Sequence, residues 1–204
     1  YNSGPVQMIN YDVVIWNTGY DTVGTLTGDD RNNIGKYLTD QSSNRSITGS
    51  LWMLGQNYLS DTGVPAFAST YLHLSPTTFS PNTFSNSSPL QGNPAHVVAS
   101  NWSNPAKFIN MTERIAGQSQ RHVLTRIAPA LSMFNGTTGS AAVSYENVAL
   151  QSRVVTFGWD FGLVEDVSVQ TDLAYALILG LGNIPEKNLV DFAEGFIPLL
   201  KYAK

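Results

Sequence analysis

Cysteine is absent from all 204 residues. That absence removes disulfides, thiol nucleophiles and thiolate metal sites together. Charge is also scarce. Asp, Glu, Lys and Arg make up 13% of the chain, about half the usual share. The net charge is −4, and the 11 Lys and Arg form no run. This argues against the basic patch that nucleic acid or an anionic membrane would call for. The longest apolar run, Leu173 to Leu181, falls short of the ~20 residues that cross a bilayer. Neither a G-x-S-x-G elbow nor a glycine-rich phosphate loop occurs. Gly180-Leu-Gly182 lies where a helix should end and reads as a stop.

What remains is a chain of ordinary apolar content, 42%, long enough to bury a core without bridges. One α/β domain is expected over residues 1–183, with an insertion at about 74–104 and a C-terminal helix over 184–204. Surface polarity comes from Ser, Thr and Asn. Such a surface is common where attached sugar supplies solubility. Five Asn-x-Ser/Thr triplets begin at Asn44, Asn86, Asn101, Asn110 and Asn135. Asn44, Asn86 and Asn135 fall in expected loops, which makes them the first candidates for glycans. The first residue is Tyr1, not Met. The chain is expected to be a processed product or an excised piece, with an extracellular or cell-surface location.

Tyr11-Asp-Val-Val-Ile-Trp16 is a β-branched apolar run of the kind buried on both faces of a parallel sheet. A helix should follow to about Thr39, with Thr27 as N-cap and Asp29 and Asp30 in its first turn. Leu51-Trp-Met-Leu54 is the next strand, stopped by Gly55. Strand, helix and strand form a βαβ unit. Ser75 to Pro94 carries no period and is expected to be a loop-like insertion. His96 to Ser100 is expected as a short strand, and Asn104 to Gly117 as holding a helical turn. Ala141 to Tyr145 and Arg153 to Gly158 are expected strands. A strongly apolar helix should run from Asp166 to Leu181. After Asn183-Ile-Pro185, an amphipathic helix is expected over Glu186 to Tyr202, kinked by Pro198.

Six stretches carry a resemblance: Tyr11-Asp-Val-Val-Ile-Trp-Asn-Thr-Gly19, Leu26-Thr-Gly-Asp-Asp-Arg31, Tyr37-Leu38, Leu51-Trp-Met-Leu-Gly-Gln-Asn57, Tyr71-Leu-His73 and Val154-Val-Thr-Phe-Gly-Trp-Asp-Phe161. In order and spacing the chain resembles the class I glutamine amidotransferase-like, flavodoxin-type domain found beside secreted bacterial and archaeal peptidases. The resemblance implies a three-layer α/β fold with a Ser/Thr/Asn-rich insertion. It also implies two strands and a helix ahead of the Tyr11–Trp16 strand, and the ten residues before it hold no such set. The sheet is therefore expected to be completed by the remainder of a larger precursor or by identical copies. In catalytic members of that fold a cysteine stands on the turn after a strand. Gln56 stands there in this chain. An amide nitrogen has a delocalised lone pair and is no nucleophile.

Other residues carry groups capable of chemistry. His73 sits in an apolar Tyr-Leu-His-Leu context and reads first as structural, with a base or ligand role as the alternative. His96 and His122 lack metal-ligand spacing, and no metal or cofactor is expected. Asp29 and Asp30 could hold a cation but more simply serve a helix start. Ser60 and Ser69, near the Gly55-Gln56 turn, lack an elbow motif. Asp160, Glu165 and Asp166 follow a strand end, where α/β sheets place ligands. They are the candidates for acid–base work or calcium binding, with helix capping by Asp166 as the plainer reading. Three functions stay open. The first is a non-catalytic accessory or structural domain of a larger secreted or cell-surface protein, possibly peptidase-associated. The second is a self-assembling subunit of a filament or surface layer. The third is a hydrolase using carboxylates near Asp160.

Overall fold

A computed structural model describes residues 8–19, 24–40, 49–56, 58–75, 81–83, 89–96, 98, 108–111, 120–136 and 139–181. Strand β1 (Val13–Asn17) leads into helix α1 (Gly28–Thr39) and strand β2 (Ser50–Leu54). A 3-10 turn (Tyr58–Ser60) and a short helix α2 (Val64–Phe67), extended by a π turn (Ala68–Leu72), follow. Then come β3 (Pro81–Thr83), β4 (Leu90–Gly92), β5 (Phe108–Ile109), β6 (Gln120–His122), β7 (Leu131–Gly136), β8 (Gly139–Asn147) and β9 (Ser152–Phe157). A second 3-10 turn (Phe161–Leu163) precedes helix α3 (Val167–Leu181).

Seven strands form one mixed sheet in the order β1-β2-β9-β8-β7-β4-β5, while β3 and β6 pair separately. The pairs β1–β2 and β2–β9 are parallel, and every other pair is antiparallel. Ser50–Leu54 is central because all five of its residues are buried. Alternation divides it: Trp52 and Leu54 face α3, while Leu51 and Met53 face α1 and α2. Leu173, Leu177 and Leu181 close the first face, and Ile34, Tyr37, Leu38, Val64 and Phe67 close the second. The result is a three-layer α/β arrangement with two cores.

The ends of the helices explain their positions. Thr27 caps α1, and its side chain and that of Asp30 bond reciprocally to each other's backbone N–H. This capping box uses Asp where Glu is commoner. The buried Tyr37 hydroxyl lies 3.0–3.1 Å from the carbonyls of Tyr11, Asp12 and Ser50, which compete for its one hydrogen, and accepts the Ser50 N–H at 3.1 Å. It ties α1 to the starts of two strands. At the far end of α3, Ser50 Oγ donates to the Leu181 carbonyl at 2.6 Å, and Arg153 donates to that of Gly180 at 3.3 Å. These side chains satisfy acceptors that a helix end leaves open.

Several expectations need correction. The Tyr11–Trp16 run is not buried on both faces. Among the described residues β1 is an edge strand, and Val13 to Trp16 are half-buried. Among the described residues it pairs only with β2. Ser75 to Pro94 is not without strands, since β3 and β4 lie within it, and the fully buried Leu90 joins the main sheet. Strands of three residues are too short to show a period. His96 is not in a strand. It closes a turn onto the Asn93 carbonyl at 3.0 Å, and Val98 has helical backbone. Within Asn104 to Gly117, residues 108–109 form β5, and Met111 bridges Val164. Asn135 lies in β7 rather than in a loop. Asn44, Asn86, Asn101 and the expected helix over Glu186 to Tyr202, with Pro185 and Pro198, lie outside the described residues.

Candidate functional site

Three parallel strands end side by side, and the turns after them form the candidate site. These turns are Thr18–Gly19 after β1, Gly55–Gln56 after β2 and Gly158–Asp160 after β9. Gly55 has φ 124, and a Cβ there would stand 2.0 Å from Thr18 Oγ1. Only glycine meets both demands. Backbone bonds lace the turns together. Gly55 N–H donates to the Trp159 carbonyl, Gln56 N–H donates to the Gly19 carbonyl (both 3.1 Å), and Tyr58 N–H donates to the Gln56 carbonyl at 2.9 Å. Gln56 itself is 1% exposed. Beneath it the Tyr58 hydroxyl donates to the Phe157 carbonyl at 2.8 Å, and burial raises its pKa, so it stays protonated.

Asp61 was not anticipated. Its carboxylate accepts from the N–H groups of Gly24, Thr25 and Leu26 at 3.2, 2.8 and 3.2 Å, and from the Thr25 hydroxyl at 2.6 Å. Successive N–H groups of this kind make an anion-binding concavity, and here the protein's own carboxylate fills it. Burial pushes the Asp61 pKa up, but the bonds from Thr25, Leu26 and Gly24 outweigh it, and the net shift is downward. The loop before α1 is thereby pinned to the segment after β2. Positions 35 to 37 apart give no local pattern that could have revealed the pin.

Two of the three carboxylates after β9, those of Asp160 and Asp166, accept local donors. Asp160 is buried and accepts from Gly162 N–H at 2.5 Å, capping the 3-10 turn. Glu165 is exposed, and its N–H donates to the Asn110 carbonyl at 3.0 Å. Asp166 is exposed and accepts from both the hydroxyl and the N–H of Ser168 at 2.7 Å, which lowers its pKa. It serves the start of α3. Asp29 and Asp30 lie in the first turn of α1, as the helix-serving reading expected. Among the described residues no cluster of three or more His, Asp or Glu could hold a metal ion.

The histidines lie apart from one another. His73 ends the π turn with φ 52 and stacks on Tyr145 with ring centroids 3.5 Å apart. His96 contacts Ser144. His122 is fully buried, and its N–H donates to the Gly158 carbonyl at 2.6 Å beside the candidate site. Burial lowers the pKa of all three, that of His122 to about 4. Ser69 donates to the Ala66 carbonyl within α2 and its extension.

Solved structures share this architecture. A cytoplasmic protein from Salmonella typhimurium is similar at 14% identity and a TM-score of 0.54, over 89% of this chain and 76% of that one. A ThuA-like protein from Bacteroides uniformis is similar at 13% identity and the same TM-score, over 85% and 70%. A cold-adapted beta-galactosidase from Rahnella matches at 12% identity and a TM-score of 0.50, over 84% of this chain but only 23% of that chain. At these identities the likeness shows the fold alone: a flavodoxin-like, class I glutamine amidotransferase-like domain. No protein-family model and no curated protein matches the chain. No helix among the described residues is long and apolar enough to cross a membrane.

Proposed function

We propose that the chain is a non-catalytic accessory or structural domain of a larger extracellular protein, with a secreted peptidase as one fitting neighbour. One observation carries the reading. Where a nucleophile would stand, Gln56 is 1% exposed and sits in a turn closed by three backbone hydrogen bonds. The side chains around it are spent on structure: Asp61 and Asp160 cap backbone, and Tyr58 donates to a carbonyl. A fold of this type forming 23% of a longer enzyme chain supports a role as one part of a larger protein. Sparse charge, with Asn110 and Asn135 exposed, supports a glycan-bearing surface. Generic amide and ester substrates test the reading. No turnover is expected, and activity that disappears in Gln56→Ala overturns it.

The edge strand favours a second part to this proposal, assembly through β1. Val13 and Ile15 contribute to one core and Val14 and Trp16 to the other, yet all four remain half-buried. Among the described residues no strand pairs with the other side of β1, and an apolar edge strand favours strand addition. The upstream part of a precursor or an identical copy would supply the strand. Sedimentation combined with amide exchange at Val13 to Ile15 tests this. A monomer with those amides well protected would show that the chain covers β1 itself.

A further inference from the structure

The segment after β4 is fastened at three points. Asn93 holds the first: its N–H donates to the Met133 carbonyl at 2.9 Å, and its side chain donates to the Ser132 carbonyl at 2.7 Å. His96, 4% exposed, holds the second, with Nε2 2.5 Å from Ser144 Oγ on β8. Val98 holds the third, against Gly180 of α3. A Cβ at Gly180 would stand 2.6 Å from Val98 Cγ2, so the seat fits only glycine.

The polarity of the second point follows from the Val98 amide. Val98 N–H donates to His96 Nδ1 at 3.2 Å. Nδ1 must therefore be unprotonated, and in a neutral ring Nε2 carries the hydrogen. Ser144 Oγ accepts it. This is the reverse of a serine–histidine catalytic pair, in which the ring accepts the hydroxyl proton. Ser144 is thus not an activated nucleophile, and the pair is a fastening. It has one chemical weakness. A proton added at Nδ1 would point at the Val98 N–H, setting donor against donor, and would leave a charge in a buried place.

We infer that His96 is an acid-sensitive latch: protonation detaches His96 from β8 and Val98 from its seat on α3, while Asn93 stays anchored to β7. Burial holds the neutral ring at pH 7 by lowering its pKa. The charged groups on the elements around it are few. β4 and β7 carry none, β8 carries Glu146, β9 carries Arg153, and α3 carries Asp172. Glu146 and Arg153 pair with each other at 3.1 Å, and Asp172 lies roughly two turns before Gly180. Neutral His96 favours the closed form above its ordinary value, about 6.5, and that advantage is lost as the pH falls toward the value of the closed form.

The Val98 amide is the probe, because it makes the bond that protonation breaks. Its exchange protection factor, corrected for intrinsic rates, is expected to fall about tenfold per pH unit below about 6.5. Val155 in β9 should keep its protection, which marks the opening as local. In His96→Gln, where an amide replaces the ring without titrating, the pH dependence should vanish. Gly180→Ala should lower Val98 protection already at neutral pH, since the added methyl fills the seat, and this variant decides the matter should His96→Gln fail to fold. The latch is wrong if wild-type Val98 protection does not respond to pH, or responds equally in His96→Gln. It is also wrong if Val98 opens only in step with Val155, or if Gly180→Ala leaves Val98 as protected as before.

Discussion

In the parallel half of the sheet, β1, β2 and β9 run five, five and six residues, and long helices cover both faces. In the antiparallel half the β7–β8 hairpin is flanked by β4 and β5, of only three and two residues. The first half adds local rules to distant bonds such as Ser50 to Leu181: a helix cap, a continuous apolar strand, a glycine at a turn. The second is bound by distant bonds, such as those of Asn93 to Ser132 and Met133. An element of two residues has no stability of its own, so β5 exists only because the rest of the sheet is present.

The largest test of that contrast removes a central ring. Trp52 is fully buried and meets Phe157 and Phe161 edge-on at 5.4 and 5.0 Å. Trp52→Ala should cost about 3–5 kcal/mol, read as a lower urea midpoint. Leu90→Ala, in β4, should cost about 2–4 kcal/mol through the same single transition. A separate, earlier transition would show that the halves unfold independently.

Acid should act next. His122 has its pKa lowered from 6.5 to about 4 by burial, so the folded state prefers it neutral. Its contribution is complete above about 6.5 and is lost as the pH falls toward about 4, on the order of 3 kcal/mol in all. Urea midpoints measured down this range should decline, and His122→Gln should flatten the slope. An unchanged slope would assign acid sensitivity elsewhere.

Smaller effects sharpen the local side of the comparison. Asp61→Asn keeps the shape but removes the charge that four donors share. It should cost about 1–2 kcal/mol and speed amide exchange at Thr25 and Leu26. Thr27→Ala removes the α1 cap and should cost about 1 kcal/mol. If Thr27→Ala costs more than Asp61→Asn, the local cap, not the distant pin, governs this end of the domain.

The uneven legibility of the sequence follows from the same physics. The helix from Gly28 to Thr39, the strand from Ser50 to Leu54 and the helix from Val167 to Leu181 were readable, because caps and apolar periods act within a few residues. The turn at Gly55-Gln56 was readable too, through its place after a strand. β3, β4 and β5 were not, because two or three residues carry no period. Asp61 was invisible as a site residue because its partners lie 35 to 37 positions away.

Composition alone excluded thiol chemistry, since that depends only on which residues exist. Local order alone determined the βαβ unit and placed Gln56 on the turn after its second strand. Tertiary structure decided the rest. It left β1 at an edge among the described residues, gave the Gly24–Leu26 amides to Asp61 instead of an outside anion, and set His96 as a donor to Ser144. The reason is geometric. Capping and periodicity are satisfied between neighbours in the chain, whereas a strand's partner, an anion pocket's occupant and a histidine's tautomer are fixed only when distant segments meet.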